Sequence, residues 1–439
     1  MSELNRVDGV ANEVAVLVAV LLNERPEGGP PLEELEGLAG AAGATVVGQL
    51  TQRRPVPDAA TCLGKGKVED LKQLVQQQSA NVVIFDNDLS PGQVRNLERA
   101  TGVKVVDRTQ LILDIFAGRA RTYEARLAVE LAQLEYSLPR LKRLWTHLSR
   151  QKRGIGLRGP GEKQLESDRR LVERRIADLR SELRLIHRRR EREVATRRDF
   201  MTVSLVGYTN AGKSTLMNRL TGAEVFTEDA LFSTLDTRTR RWQLPAWGPV
   251  LLSDTVGFIR DLPHHLIASF KATLEEARQA HLLLHVADAS NAAVFEQITA
   301  AYRVLGEVGL QSRETILLLN KIDVLPDRAR LDGLRNRYPH AIPISAATGQ
   351  GTAQLAAAVS ETLSRSFTDV DVQMSVGNGR LMAYLSAHGE VLSRQFQDSH
   401  VVVHCRIARG HLARIQQEEG VIRPRGGEPA GVEGAEGGS

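Results

Sequence analysis

Eight residues, Gly207-Tyr208-Thr209-Asn210-Ala211-Gly212-Lys213-Ser214, followed by Thr215, have the types and spacing to hold a nucleoside triphosphate. They match G-x-x-x-x-G-K-S. The apolar run Met201–Val206 precedes them as a buried strand, and the helical pattern of Leu216, Arg219 and Leu220 follows. A strand, a glycine loop and a helix N-terminus together aim backbone N–H groups at phosphate oxygens. Lys213 is expected to reach the β- and γ-phosphates, and the Ser214 hydroxyl to hold Mg²⁺.

The base is specified further on, at Asn320-Lys321-Ile322-Asp323, directly after the apolar strand Thr315–Leu319. A carboxylate at Asp323 can accept from both N1–H and the 2-amino group of guanine. Adenine offers neither proton, and a polar partner left unpaired is a strong basis for rejection. Asn320 is expected to brace the loop and the base edge, with the Lys321 stem packed over the ring. Ser345-Ala346, after the strand Ala341–Ile344, fits a last recognition loop whose backbone N–H meets the guanine O6. In this order, each after its own strand, these residues imply GTP and GDP as ligands.

Asp254-Thr255-Val256-Gly257 closes the site from the γ-phosphate side. Asp254 is expected to approach Mg²⁺ through water, and the Gly257 N–H to sense the γ-phosphate. Thr234 is the candidate second side-chain ligand of Mg²⁺, on a loop ordered by GTP. Lys213, Thr234 and Gly257 are thus the expected catalytic groups. Ras-type enzymes carry a water-orienting glutamine after that glycine; here Phe258 stands there, so hydrolysis calls for a partner or a monovalent cation. Asn210 is open to two readings: a ligand of K⁺, or a turn residue tolerating an unusual backbone.

The elements that must position these residues read as several domains. Residues 1–120 alternate apolar runs with helical patterns, as in an α/β domain; Gly64-Lys65-Gly66-Lys67 is either a phosphate loop or a plain turn. Residues 121–199 carry heptads, Leu127, Leu131, Leu134, Leu138, Leu141, Trp145 and Leu148, then Leu165, Val172, Ile176, Leu179, Leu183 and Ile186. Two such helices bury each other's stripe as an antiparallel hairpin, with Pro139 expected to kink or interrupt the first. The loop 151–161 at its tip carries Lys152, Arg153 and Arg158 among glycines, suited to RNA phosphates. Residues 200–366 form the P-loop domain, 367–423 a small βαββα domain, and 424–439 a disordered tail. The fold class is therefore multidomain α/β, with a P-loop domain, a helical hairpin before it and a small α+β domain after it.

Net charge is only +4, but residues 140–198 hold 20 Lys/Arg against 8 Asp/Glu. That segment suggests a polyanionic partner. Two cysteines far apart in 439 residues argue against a disulfide framework or zinc site. Without an apolar run long enough to span a bilayer or a signal peptide, a cytoplasmic protein with no membrane span, monomeric when free, is expected.

Several longer motifs then point to a family. Val106-Asp-Arg-Thr-Gln-Leu-Ile-Leu-Asp-Ile-Phe116, Val129-Glu-Leu-Ala-Gln-Leu-Glu-Tyr136, and Arg158-Gly-Pro-Gly-Glu162 with Gln164-Leu-Glu166 accompany the P-loop. In this combination the chain resembles HflX, a group of translation-associated GTPases of the Obg superfamily, over nearly its whole length to about residue 365. The resemblance implies binding to the large ribosomal subunit and its rRNA, ribosome-stimulated GTP hydrolysis, and separation of stalled or idle ribosomes. It would direct the hairpin tip towards the peptidyl-transferase region. The chain departs from the family's pattern at Arg153-Gly154, where a glycine pair is usual, and at Lys163, where threonine is usual. Two other readings stand beside this one: a GTPase that times large-subunit assembly, and an ATP-dependent RNA remodeller acting through the N-terminal domain.

Overall fold

The computed structural model describes residues 10–22, 31–144, 160–196, 201–222, 238–245, 247–260, 277–278, 280–307, 309–310, 313–325, 327–397 and 399–425. Thr234, Lys152, Arg153 and Arg158 lie outside them, as does nearly all of the 151–161 loop.

Strands β1 (Val14–Leu22), β2 (Thr45–Arg54), β3 (Val82–Phe85) and β4 (Lys104–Asp107) form a parallel sheet in the order β2-β1-β3-β4. Helices α1 (Glu33–Ala41), α2 (Lys65–Gln77), α3 (Pro91–Thr101) and α4 (Arg108–Arg119) connect and cover it. Buried strand residues feed two separate clusters, as expected of a parallel sheet covered on both faces. At the Gly64 loop the Gly64 N–H donates to Gln52 Oε1 (2.9 Å) and Lys67 pairs with Asp70 (3.1 Å). These internal partners support the plain-turn reading.

α5 (Tyr123–Leu144) and α6 (Pro160–Thr196) build the arm. Tyr123 meets Glu182 and Glu130 meets Arg175, so the helices run antiparallel. Leu127, Leu131, Ile176, Leu179 and Leu183 interlock between them, joined by Leu134, Leu138, Val172 and Ile186. The side chains of Leu141, Trp145, Leu148 and Leu165 lie outside the described ones. Two expectations change. Pro139 does not interrupt α5, and α6 begins at Pro160 rather than after the loop. Proline suits a first helical position because its missing N–H has no partner there anyway.

A six-stranded sheet follows, in the order β10-β9-β8-β5-β7-β6. Its strands are β5 (Thr202–Gly207), β6 (Arg238–Leu244), β7 (Gly248–Asp254), β8 (Leu282–Asp288), β9 (Thr315–Asn320) and β10 (Ile342–Pro343). Only β6 runs antiparallel to its neighbour among these pairings. Helices α7 (Lys213–Thr221), α8 (Val294–Glu307), α9 (Arg328–Arg337) and α10 (Thr352–Ser366) belong to this unit among the described residues.

The last unit is β11 (Phe367–Ser375), α11 (Gly379–His388), β12 (Gly389–Gln397), β13 (His400–Ala408), α12 (Leu412–Gln417) and β14 (Val421–Pro424). Its antiparallel order β12-β13-β11-β14 is the split βαβ arrangement. The sequence reading ended at βαββα and began the tail at Pro424. The structure adds β14, pairing Pro424 with Val370, and Arg425 N–H donates to Asp369 O. Backbone pairing holds this strand, which is too short and too exposed to signal itself.

Candidate active site and its clamp

The P-loop residues gather at the carboxyl end of β5, where a parallel sheet places ligand sites. Gly207 ends β5; Asn210 has φ 61° and Gly212 φ 92°, turning the chain into α7, which contains Ser214 and Thr215. That backbone matches the turn reading of Asn210, since asparagine adopts this region more readily than most residues. Lys213 is buried, and its ammonium donates to the carbonyl oxygens of Gly207 (3.1 Å) and Tyr208 (2.7 Å). Burial lowers its pKa to about 8, opposed by the charge of Asp254.

Asp254 ends β7 and accepts a hydrogen bond from Ser214 Oγ at 2.6 Å. A hydroxyl and a carboxylate side by side form a hard oxygen donor set that fits Mg²⁺, a cation that completes its shell with water and phosphate. The following loop is stitched to the P-loop: Phe258 N–H donates to Gly207 O (2.9 Å), and Thr209 N–H to Phe258 O (2.7 Å). Gly257 is required by close approach, since a Cβ there would lie 2.6 Å from Thr209 Cα and 2.9 Å from Lys213 Nζ. Phe258 points into the hydrophobic core of this unit, not towards the phosphate site.

On the base side, Asn320 is fully enclosed. Its Nδ2 donates to Ala211 O (2.7 Å) and its Oδ1 accepts from Ala346 N–H (2.9 Å), tying the P-loop to the last recognition loop. This clamp also excludes a side chain at Gly212, whose Cβ would sit 2.3 Å from Asn320 Nδ2. Lys321 has φ 63° and pairs with Asp288 at 2.8 Å, which anchors its stem; Asp323 is exposed in the short turn Ile322–Val324. The expected role of Ser345-Ala346 needs adjusting. Ser345 N–H donates to Gln350 O and Ala346 N–H to Asn320 Oδ1, so guanine O6 would have to share the Ala346 donor.

Sequence reasoning missed three residues. Arg219 on α7 donates to Ala346 O (3.3 Å) and to Ala347 O, holding the recognition loop from below. Asp288 anchors Lys321. Arg260, two residues beyond Phe258, pairs with Asp86 (2.8 Å) and Glu34 (3.5 Å) of the first sheet unit. None lies in a recognisable motif.

Lys213 and Ser214 after β5, Asp254 at the end of β7, and Asn320 and Asp323 at and after the end of β9 define a P-loop GTPase. The chain is 48% identical to a GTPase HflX of Escherichia coli over 84% of its length and 88% of that protein's. It is 42% identical to a GTPase HflX of Lacrimispora saccharolytica over 93% and 96%. The chain belongs to the HflX family. Family models described as GTP-binding GTPase N-terminal, GTP-binding GTPase Middle Region and 50S ribosome-binding GTPase match residues 30–117, 119–197 and 202–321. A solved structure of SsGBP with GDP shares 26% identity over 80% of this chain and 98% of that one, at a TM-score of 0.47. Among the described residues no helix is long and apolar enough to cross a membrane.

Proposed function

We propose that this GTPase binds the large ribosomal subunit through its arm and rRNA contacts, and uses GTP to separate ribosomal subunits. The observation that carries the reading is the joint packing of the γ-phosphate-side loop and the arm. Val256 and Ile259 of the loop and Val129 and Ala132 of α5 are buried in one hydrophobic cluster. The description of the family model over 202–321, a 50S ribosome-binding GTPase, supports the partner.

In this mechanism Lys213 neutralises the β- and γ-phosphates, and the Gly257 N–H reads the γ-phosphate. Ser214 would hold Mg²⁺ directly and Asp254 through water, with Thr234 as a proposed further ligand. Such a cation would supply positive charge against the triphosphate. Asp323 selects guanine. Phe258, buried in the core, offers nothing to orient the attacking water, so the organiser comes from the bound subunit. Lys152, Arg153 and Arg158 are the proposed contacts to rRNA.

Adding the protein and GTP to intact ribosomes and following subunits on a sucrose gradient tests this. New free subunits, dependent on GTP, are expected. Unchanged ribosomes despite stimulated hydrolysis would sink splitting and favour a timer in subunit assembly. Equal hydrolysis in sodium and potassium buffers would remove Asn210 as a ligand of K⁺.

A further inference from the structure

The 254–260 loop divides its side chains between two bodies. Thr255 and Phe258 face the GTPase sheet: Thr255 Oγ1 donates to Leu205 O (2.7 Å), and Phe258 lies in that sheet's core. Val256 and Ile259 enter the core of the N-terminal sheet unit. Arg260 then closes a compact ion network. Its Nη2 donates to Asp86 Oδ2 (2.8 Å), its backbone N–H to Glu34 Oε1 (3.3 Å), and its carbonyl accepts from Arg108 Nη2 (3.1 Å). Arg108 spans the same two carboxylates, Asp86 at 2.7 Å and Glu34 at 2.9 Å.

The neighbour of Arg108 in the chain faces the other way. Asp107 caps α4 by accepting Gln110 N–H (2.9 Å), and it also accepts Tyr136 Oη (2.6 Å) and Arg140 Nη2 (2.7 Å) from α5. The Arg140 guanidinium stacks on the Tyr136 ring, 3.4 Å from its centroid. One dipeptide thus holds the nucleotide-sensing loop with one side chain and the base of the arm with the other. Asp86, Asp107 and Arg108 are buried, so exchanging their partners for water is costly and the arrangement favours discrete states.

We propose that Arg260, Arg108 and Asp107 are positioning residues that couple the 254–260 loop to α5, so that the arm's seating and the preference for GTP over GDP bias each other. Arg260 holds the loop where Gly257 lies against Lys213, beside the ammonium that meets the γ-phosphate. That preorganisation favours the triphosphate over the diphosphate. Coupling is reciprocal, so loosening the arm end shifts nucleotide preference by up to the coupling free energy. The inference rests on the GTPase assignment and not on the ribosomal reading.

The test measures the affinities of the full-length chain for GDP and for a non-hydrolysable GTP analogue, without ribosomes. Tyr136→Phe removes a single hydroxyl at the arm end and leaves the ring in place. It is expected to weaken the analogue relative to GDP by about fivefold. Arg260→Met should do so at least as strongly, and Arg260→Lys should recover part of the loss. In the double variant Tyr136→Phe with Arg260→Met, the effects should not multiply, because the connection is already broken. An unchanged or raised preference for the analogue in Tyr136→Phe overturns the proposal. So does an equal loss for both nucleotides, or multiplying effects in the double variant.

Discussion

Asn320 joins the two halves of the nucleotide site through atoms that neither bind phosphate nor carry charge. Its donor and acceptor serve Ala211 O and Ala346 N–H in a buried setting. Stripping such a group of its partner costs about 1–3 kcal/mol. Asn320→Ala is therefore expected to weaken GDP binding by about ten- to a hundredfold with Asp323 intact. Asn320→Asp keeps the acceptor for Ala346 but sets a buried carboxylate oxygen against Ala211 O, and should weaken binding at least as much. Titration with a fluorescent GDP checks this, and wild-type affinity in Asn320→Ala would remove the clamp. At this scale Lys213, Ser214, Asp254, Asn320 and Asp323 are legible in the sequence, because each follows its own strand at fixed spacing. Arg260 is not. Its partner Glu34 is 226 residues away, and no local pattern links a basic residue to a carboxylate so remote.

Among the elements, β8 lies between β9 and β5 in the middle of the GTPase sheet and bears on pH dependence. His285 within it is buried, and His281 just before it is partly buried. Burial first, then the charges of Lys213 and Arg313 respectively, lower both imidazoles to about 4. An unfolded chain takes up these protons first as pH falls. The stabilisation is thus present above about pH 6.5 and lost between there and pH 4, at about 1.4 kcal/mol per pH unit for each group. Urea unfolding followed by tryptophan fluorescence should show about 4 kcal/mol less stability at pH 5 than at pH 7. His285→Leu should halve that slope, and an unaltered slope would shift the cause elsewhere. The central strands are readable as apolar runs because water reaches neither face. The edge strand β6 is missed because only Trp242 and Leu244 of its seven residues turn inward. The continuity of α5 through Pro139 is missed for another reason: the heptad contacts that precede it, from Leu127 to Leu138, outweigh one absent hydrogen bond.

At the scale of the whole molecule, the arm's second helix is the longest described element. The 37 residues of α6 reach about 55 Å at 1.5 Å per residue. The long heptad pattern and the basic balance of residues 140–198 make the arm legible in the sequence. Its attachment is not, because the Asp107–Arg108 junction is a tertiary contact between units that read as separate domains. If the tip meets rRNA, its charges should act on that partner alone. Arg153→Glu with Arg158→Glu is expected to weaken binding to the large subunit steeply, while GTP affinity stays within about twofold. Each lost phosphate contact also removes about 0.7–1 from the slope of log affinity against log salt, so the double variant should be shallower by about 1.4–2. Binding measured at several salt concentrations separates this from a general loss of structure, which would lower GTP affinity too. A double variant with wild-type affinity and salt slope would place the rRNA contact elsewhere on the molecule.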